Sequence, residues 1–328
     1  MNAVAVPAVL AATFAFSCAA TWTLSIGRAR ALALDEPNPR SLHQRPVPRT
    51  GGLAIVAATV CAWLLLEAPV HPIVIAAVAA LCGLSLIDDV RSLPVSLRLI
   101  AHVAAAAATV AALDPSLPLL LWMAAILAIA WMINLYNFMD GSDGLAGGMA
   151  ALGFFFYGIG AWIAGDGTFA AASWVVSAAA AGFLVFNFHP ARIFMGDSGS
   201  VPVGFIAAAF GMQGWAEHDW PWWFPLMVFS PFIVDASVTL VRRLWQRQRV
   251  WQAHREHYYQ RLVQLGWGHT RTALAEYALM ALCGAAGVYA LGADGDAQTI
   301  ILGTVAMLYM LAMLAVDAAW RTIAGPAE

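Results

Sequence analysis

The chain has 328 residues, of which 62% are hydrophobic and only 11% charged, with a formal net charge of −3. A soluble domain typically carries about 25% charged residues, so this composition excludes an ordinary soluble enzyme. The arginines are spread along the chain rather than gathered, which excludes a nucleic-acid-binding patch.

In chain order, the apolar segments are residues 4–26, 52–66, 71–87, 98–113, 117–136, 145–164, 169–186, 201–214, 222–241, 273–292 and 297–319. A bilayer core requires roughly 17–25 apolar residues per helix. The pattern predicts an all-α integral membrane protein of about eleven transmembrane helices, with 52–66 and 201–214 the shortest. The first segment has no basic residue ahead of it and reads as a span, not a cleaved leader. No soluble domain interrupts the series, so residues 1–328 read as one polytopic domain. Its longest polar stretch is the loop 242–272.

All sixteen basic side chains are arginine, and they fall in every second gap between spans. The intervening gaps carry Glu67, Asp114, Asp166, Glu217 with Asp219, and Asp294 with Asp296. Arginine-bearing loops stay cytoplasmic, which places the N-terminus outside and the arginine-rich loops inside. Cys18, Cys61, Cys82 and Cys283 all lie in apolar segments and match no metal-binding spacing.

The inward gaps also hold the chemistry. They contain Arg45 and Arg49 before Gly51-Gly52; Asp88-Asp89 with Arg91 and then Arg98; Asn134, Asn137, Asp140 and Asp143; Asn187, Phe194 and Asp197; and His254 with His257. Asn134, Asn137 and Asp140 recur every third residue and share one helix face. With the N-terminus outside, Asp88, Asp89, Asn137 and Asp140 stand at helix C-termini, where the dipole is already negative. Acids there call for a cation. Gly141–Gly144 and Gly196–Ser200 precede helix N-termini, which favour anions. Alternating cation-seeking and anion-seeking helix ends suit a metal–pyrophosphate complex. Asp197, among glycines and serines, is a candidate Mg²⁺ ligand, since Mg²⁺ takes hard oxygen donors and substrate phosphate. Phe194 reads either as an interfacial aromatic or as a base-stacking one. Asp235, Glu276 and Asp317 carry no assigned role.

Asn134-x-x-Asn137-x-x-Asp140-Gly-x-Asp143-Gly-Leu and Phe194-Met-Gly196-Asp197-x-Gly-Ser200, in this order after Asp88-Asp89, resemble the polyprenyl-phosphate N-acetylhexosamine-1-phosphate transferase family across about residues 40–270. The resemblance implies catalytic roles for Asp88, Asp89, Asp140, Asp143, His254 and His257. It implies Mg²⁺ (with Mn²⁺ as the alternative) on Asp197 and Asp89, and uracil recognition near Asn187 and Phe194. Arg45, Arg49, Arg91, Arg98, Asn134 and Asn137 complete the expected substrate-binding set. Arg91 stands where the family often has lysine, and His102 where it often has glutamine. The His-Arg-Glu-His run resembles the O-antigen-initiating branch. The implied partners are a UDP-N-acetylhexosamine-type sugar nucleotide, undecaprenyl phosphate and the lipid bilayer, with a homodimer left open and no nucleic acid. The implied place is a bacterial inner membrane, with the site facing the cytoplasm. A cation-coupled transporter would place its charges near the bilayer midplane. A CDP-alcohol phosphotransferase would carry Asp-Gly-x-x-Ala-Arg, which is absent here.

Overall fold

The computed structural model describes residues 5–27, 32–37, 45–249 and 254–324. Arg28, Arg30 and Arg40 of the expected cytoplasmic set lie outside the described residues, as do positions 250–253 of the histidine loop. The described chain is helical almost throughout: α1 (Ala5–Ser25), α2 (Gly52–Leu65), α3 (Pro72–Arg91), α4 (Val95–Leu113), α5 (Leu119–Met139), α6 (Leu145–Ala164), α7 (Gly167–Asn187), α8 (Asp197–Ala216), α9 (Trp223–Val228), α10 (Ser230–Trp245), α11 (Tyr258–Leu262), α12 (Gly268–Leu291) and α13 (Gly295–Ala324). One two-residue antiparallel pair, β1 (Leu34–Asp35) with β2 (Val47–Pro48), lies ahead of α2.

Each apolar segment read from the sequence falls on a helix. Among the described residues, eight helices are long and apolar enough to cross a membrane, and α2 is apolar but shorter. The chain is therefore a multi-pass membrane protein. Two expected spans depart from the simple picture for different reasons. The ninth is broken into α9 and α10 at Phe229, where Pro225 and Pro231 remove backbone donors and disfavour a continuous helix. The eighth, α8, is buried along nearly its whole length, from Ser198 to Gly214. Its glycines admit close neighbours, as at Gly204 against Tyr136 and Met132 of α5.

Helices α6 and α8 form the centre of the bundle. Phe169 and Phe210 pack with ring centroids 5.0 Å apart, and Phe154 stands edge-on to both Phe210 and Phe229. Trp63 of α2 stacks on Phe210 at 5.3 Å and donates its indole N–H to the Ala172 carbonyl at 2.9 Å. Small residues bring helix backbones together, as is usual where lipid offers no hydrophobic drive for helix association. At the start of α2 and α8 the approach is closest: a Cβ on Gly52 would land on the Gly199 Cα, and one on Gly199 would land on Gly52.

This contact fixes the end of the bundle on which the charged residues gather. It is reinforced by a backbone ladder, in which Phe194 N–H donates to Pro48 O at 2.7 Å, Gly51 N–H to Phe194 O at 3.0 Å and Gly52 N–H to Met195 O at 2.9 Å. At the opposite end, Gln213 near the close of α8 donates to the Pro69 carbonyl at 2.8 Å. Replacing Gly199 with alanine is expected to cost about 1–3 kcal/mol through overpacking. Thermal melting of the detergent-solubilised variant checks this, and an unchanged midpoint would show that the two helix starts can move apart freely.

Candidate active site

The charged residues of α3, α4, α5 and α8 meet at that end. Asp89 is the centre of the arrangement. Its Oδ2 accepts from the Ser198 N–H at 3.1 Å and its Oδ1 from the Asp197 N–H at 3.4 Å. The carboxylate thereby caps α8 from another helix, where a negative group is favoured by the dipole. Arg49 holds Asp89 from the other side, donating to its backbone carbonyl at 2.6 Å with Nε 3.5 Å from Oδ1. Gly196, at φ +70°, makes this junction tight: a Cβ there would collide with the Arg49 carbonyl and approach Asp89 Oδ2 to 3.2 Å.

Arg98, near the start of α4, links two further acids. Its Nη1 donates to Asp88 Oδ2 at 2.9 Å and lies 3.5 Å from Asp197 Oδ2. Asp88 also accepts from the Leu93 N–H, which closes the α3–α4 turn. Asn137 hydrogen-bonds Asp197 through its side chain. Asp140 ends α5 as its C-cap. Burial, and then the neighbouring Asp197 and Asp89, push its carboxyl well above the usual carboxylate range, although the Gly196 N–H bonds to it and works the other way. Asp35 of β1 adds to the same negative field. It was not singled out from the sequence, because the strand pairing that brings it here spans residues with no periodic signal.

The carboxylates Asp35, Asp88, Asp89, Asp140 and Asp197 outnumber the guanidiniums of Arg49 and Arg98. This is a hard-oxygen set with excess negative charge, of the kind that suits a divalent cation such as Mg²⁺. Within it, the Asp197 side chain is 29% exposed and that of Asp89 only 1%. Asp197 is thus the more open donor, while both Asp89 oxygens already accept backbone amides.

The anion-seeking helix ends expected from the sequence are already occupied. The first amides of α8 bond to Asp89. At α6, the Gly144 N–H donates to Asn187 Oδ1 at 3.1 Å, and the Asn187 amide nitrogen donates to Ile193 O at 3.0 Å. Asn187 therefore ties the α5–α6 turn to the segment after α7. Phe194 is half-buried beside the β2–α2 segment. Asn134 donates to Ala130 O at 2.6 Å and bonds His102, one turn from the site. Arg45 and Arg91 are exposed.

The histidine loop is anchored by a residue to which the sequence assigned no role. Asp235, buried in α10, accepts from the Tyr258 N–H at 2.9 Å, the Tyr259 N–H at 3.0 Å and the Thr239 hydroxyl at 3.1 Å. His257 Nδ1 lies 3.2 Å from the same carboxylate, and its side chain is 3% exposed. One carboxylate thus caps α11 and fixes the His257 ring. His254 packs on His257 at 4.8 Å. Burial, the adjacent His257 and Arg243 lower the His254 pKa to about 4, so its ring is neutral at physiological pH. Tyr259 carries the loop to the acids: its hydroxyl donates to Phe138 O at 3.3 Å and leaves no room for a side chain at Gly141. Asp317 of α13 accepts from Arg242 at 2.8 Å and from Arg261 at 3.0 Å, holding the far side of the loop.

Residues 71–214 match the family described as Glycosyl transferase family 4. The chain is 30% identical over 264 residues to the probable undecaprenyl-phosphate N-acetylglucosaminyl 1-phosphate transferase of Bacillus subtilis (strain 168), covering 75% of this chain and 74% of that protein. It is 28% identical to the decaprenyl-phosphate N-acetylglucosaminephosphotransferase of Mycobacterium leprae (strain TN), over 79% of this chain and 77% of that one. Over about half of each chain (52%), it is 30% identical to the phospho-N-acetylmuramoyl-pentapeptide-transferase of Anoxybacillus flavithermus (strain DSM 21510 / WK1).

Asp235→Asn would place amide hydrogens against the backbone donors of α11. Hydrogen exchange at Tyr258 and Tyr259 is expected to accelerate in this variant, while exchange across α6 stays slow. Equal protection of these two amides in variant and wild type would remove Asp235 from its anchoring role.

Proposed function

The chain belongs to glycosyl transferase family 4, the polyprenyl-phosphate sugar-1-phosphate transferases, and on that premise we propose that it transfers N-acetylhexosamine-1-phosphate from a UDP-sugar to undecaprenyl phosphate, releasing UMP. The observation that carries the reading is the convergence of Asp88, Asp89, Asp140 and Asp197 with Arg49 and Arg98 at one end of a membrane bundle. That end faces the cytoplasm in this proposal, as the arginine distribution implies. The membrane setting follows from the acceptor, whose tail stays in lipid while its phosphate meets a water-soluble nucleotide.

An apolar groove supports the acceptor assignment. It has a cavity volume of about 500 Å³ and runs between α5, α8 and the α9–α10 break, lined by Ile129, Met132, Leu135, Gly211, Phe229 and Ile233 among others. Its lining on α5 extends from Leu121 to Leu135, roughly 21 Å at 1.5 Å per residue. Leu135 lies toward the same end of α5 as Asn137, and in this reading the prenyl chain occupies the groove with its phosphate turned toward the acids.

The reaction forms a bond from an acceptor phosphate oxygen to the donor phosphorus that carries the sugar, and breaks the bond from that phosphorus to the UMP oxygen. A phosphate monoester loses its second proton near pH 6, so at neutral pH the acceptor is largely dianionic and needs no strong base. Asp88 and Asp89 therefore act by holding Arg98 and the start of α8 in place, with direct attack favoured over an aspartyl-phosphate intermediate. In this reading Arg49 and Arg98, which now hold Asp89 and Asp88, turn remaining N–H donors to phosphate oxygens. Bound by Asp197 with Asp140 or Asp89, Mg²⁺ (or Mn²⁺) would supply neutralisation of the diphosphate and of the departing phosphate. Alignment and charge neutralisation are what phosphoryl transfer chiefly requires.

The relatives that cover most of the chain are named for N-acetylglucosamine, which makes that sugar the first donor to test. The O-antigen branch implied by His254-Arg-Glu-His257 remains part of the proposal, and a panel of UDP-N-acetyl sugars distinguishes it. Asp197→Asn is expected to lower UMP release at least about 100-fold, the scale of losing a principal electrostatic contributor, with the melting temperature retained. Ala128→Trp, which fills the groove, is expected to raise KM for polyprenyl phosphate but not for the UDP-sugar. Steady-state assays in detergent check both. Near-normal turnover of the first variant, or an unchanged acceptor KM in the second, would contradict the assignments.

A further inference from the structure

The last helix, α13, lies beyond residues 71–214 that match the family, yet it reaches the site through a buried ion cluster. Its Asp317 binds arginines from two other elements. Arg242 of α10 donates through both arms of its guanidinium, Nη1 to Oδ1 at 3.0 Å and Nη2 to Oδ2 at 2.8 Å. Arg261 of α11 donates from Nη1 to Oδ1 at 3.0 Å. We propose that Asp317 is a positioning residue for the transfer reaction, acting through α11 on the turn that carries Asp140; this assignment rests on the reaction proposed above.

Charge makes the cluster depend on this one carboxylate. The two guanidiniums lie over the Tyr258 ring, 5.1 Å and 5.4 Å from its centroid, and Arg242 Nη2 also bonds the Tyr258 hydroxyl. A cation within about 6 Å of an aromatic centroid is attracted to the ring face, but two like charges on one ring repel each other. Asp317 offsets that repulsion, and among the described residues it is the carboxylate that pairs with both. The Arg261 side chain is only 8% exposed, and its guanidinium also covers the Trp320 ring at 5.5 Å. Removing the counter-charge therefore leaves a nearly buried cation unpaired, which is costly.

Helix α11 is short enough to pass this constraint on. It is a single turn of five residues, so Tyr258 and Arg261 cannot shift without moving Tyr259 between them. Tyr259 is fully buried. Its hydroxyl donates to Phe138 O at 3.3 Å and takes the Gly141 N–H. Those two backbone groups flank Asp140, the C-cap of α5. Asp235 pins only the start of α11, through the Tyr258 and Tyr259 amides. Asp317 pins it farther along, at Arg261, and so fixes the rotation of the turn about its start. The Tyr259 hydroxyl is the third point of attachment. A misplacement of about 1 Å at a reacting group can cost about 100-fold in rate, so a small swing of α11 would be felt at the acids.

The test uses the full chain in detergent. Asp317→Asn keeps the shape of the side chain and removes its charge. Hydrogen exchange in the 138–144 turn is expected to accelerate in this variant, while exchange inside α6 and α8 stays at the wild-type rate. The kcat for UMP release is expected to fall about 10- to 100-fold. Tyr259→Phe removes only the hydroxyl that contacts the turn. Because Asp317 acts through that hydroxyl, the two losses are expected not to add, and the double variant is no slower than the slower single one. A role confined to general stability would multiply the losses and leave the turn as protected as in wild type. Should Asp317→Asn not fold, Arg261→Gln cuts the same link from the α11 side and carries the same expectations. Unchanged exchange across 138–144, or losses that multiply, would overturn the proposal. If wild type itself makes no lipid product with any UDP-sugar, the transfer reading fails by that result, and exchange at the turn still decides whether Asp317 holds it.

Discussion

The Asp89 carboxylate on the first amides of α8 is the contact on which the rest of this site depends. A helix that begins inside a protein leaves its first backbone donors unsatisfied, and here the missing acceptor comes from the end of α3. One interaction thereby joins two helices of opposite sense at the point where both turn polar. Arg49 is brought to the same point by the β2–α2 ladder, and Gly196 supplies the positive φ that lets the chain enter α8 so close to Asp89. Losing Asp89 would leave buried amides without partners and a guanidinium without its counter-charge, so it would damage the geometry of Asp197 before any direct chemistry.

Around this junction, charge is unbalanced by design of the fold. Arg98 is shared between Asp88 and Asp197, and Arg49 is committed to Asp89. Asp140 is left beside other acids without a guanidinium of its own among the pairs described. Such an arrangement is costly unless positive charge arrives with the substrate complex. In the proposed function that charge is the divalent ion of a diphosphate complex. The apolar groove along α5 is the second element of the proposed function, in which it takes the hydrocarbon tail of the acceptor.

Much of this was legible in the sequence, because lipid imposes strong rules. Apolar runs located the long helices, but they read α9 and α10 as one span and missed α11 in the polar loop. The Asn134–Asp140 spacing and the Gly-Asp197 turn located the acids. What could not be read were the contacts made by residues far apart in the chain. Asp235 looked like a stray charge in an apolar run, yet it anchors a loop some twenty residues away. Asp35 reaches the site only through a two-residue strand pair that leaves no pattern. The glycine-rich helix starts looked ready for phosphate, but their first amides are taken by Asp89 and Asn187.

The central claim is that bond cleavage occurs between the two donor phosphates, with the sugar leaving still attached to one of them. The most direct measurement is the mass of the lipid product, together with the identity of the released nucleotide, after incubation with UDP-N-acetylglucosamine, undecaprenyl phosphate and Mg²⁺. The expected result is a lipid diphosphate bearing the sugar and one equivalent of UMP. A lipid monophosphate sugar with release of UDP, or no lipid product with any UDP-sugar tested, would contradict the account.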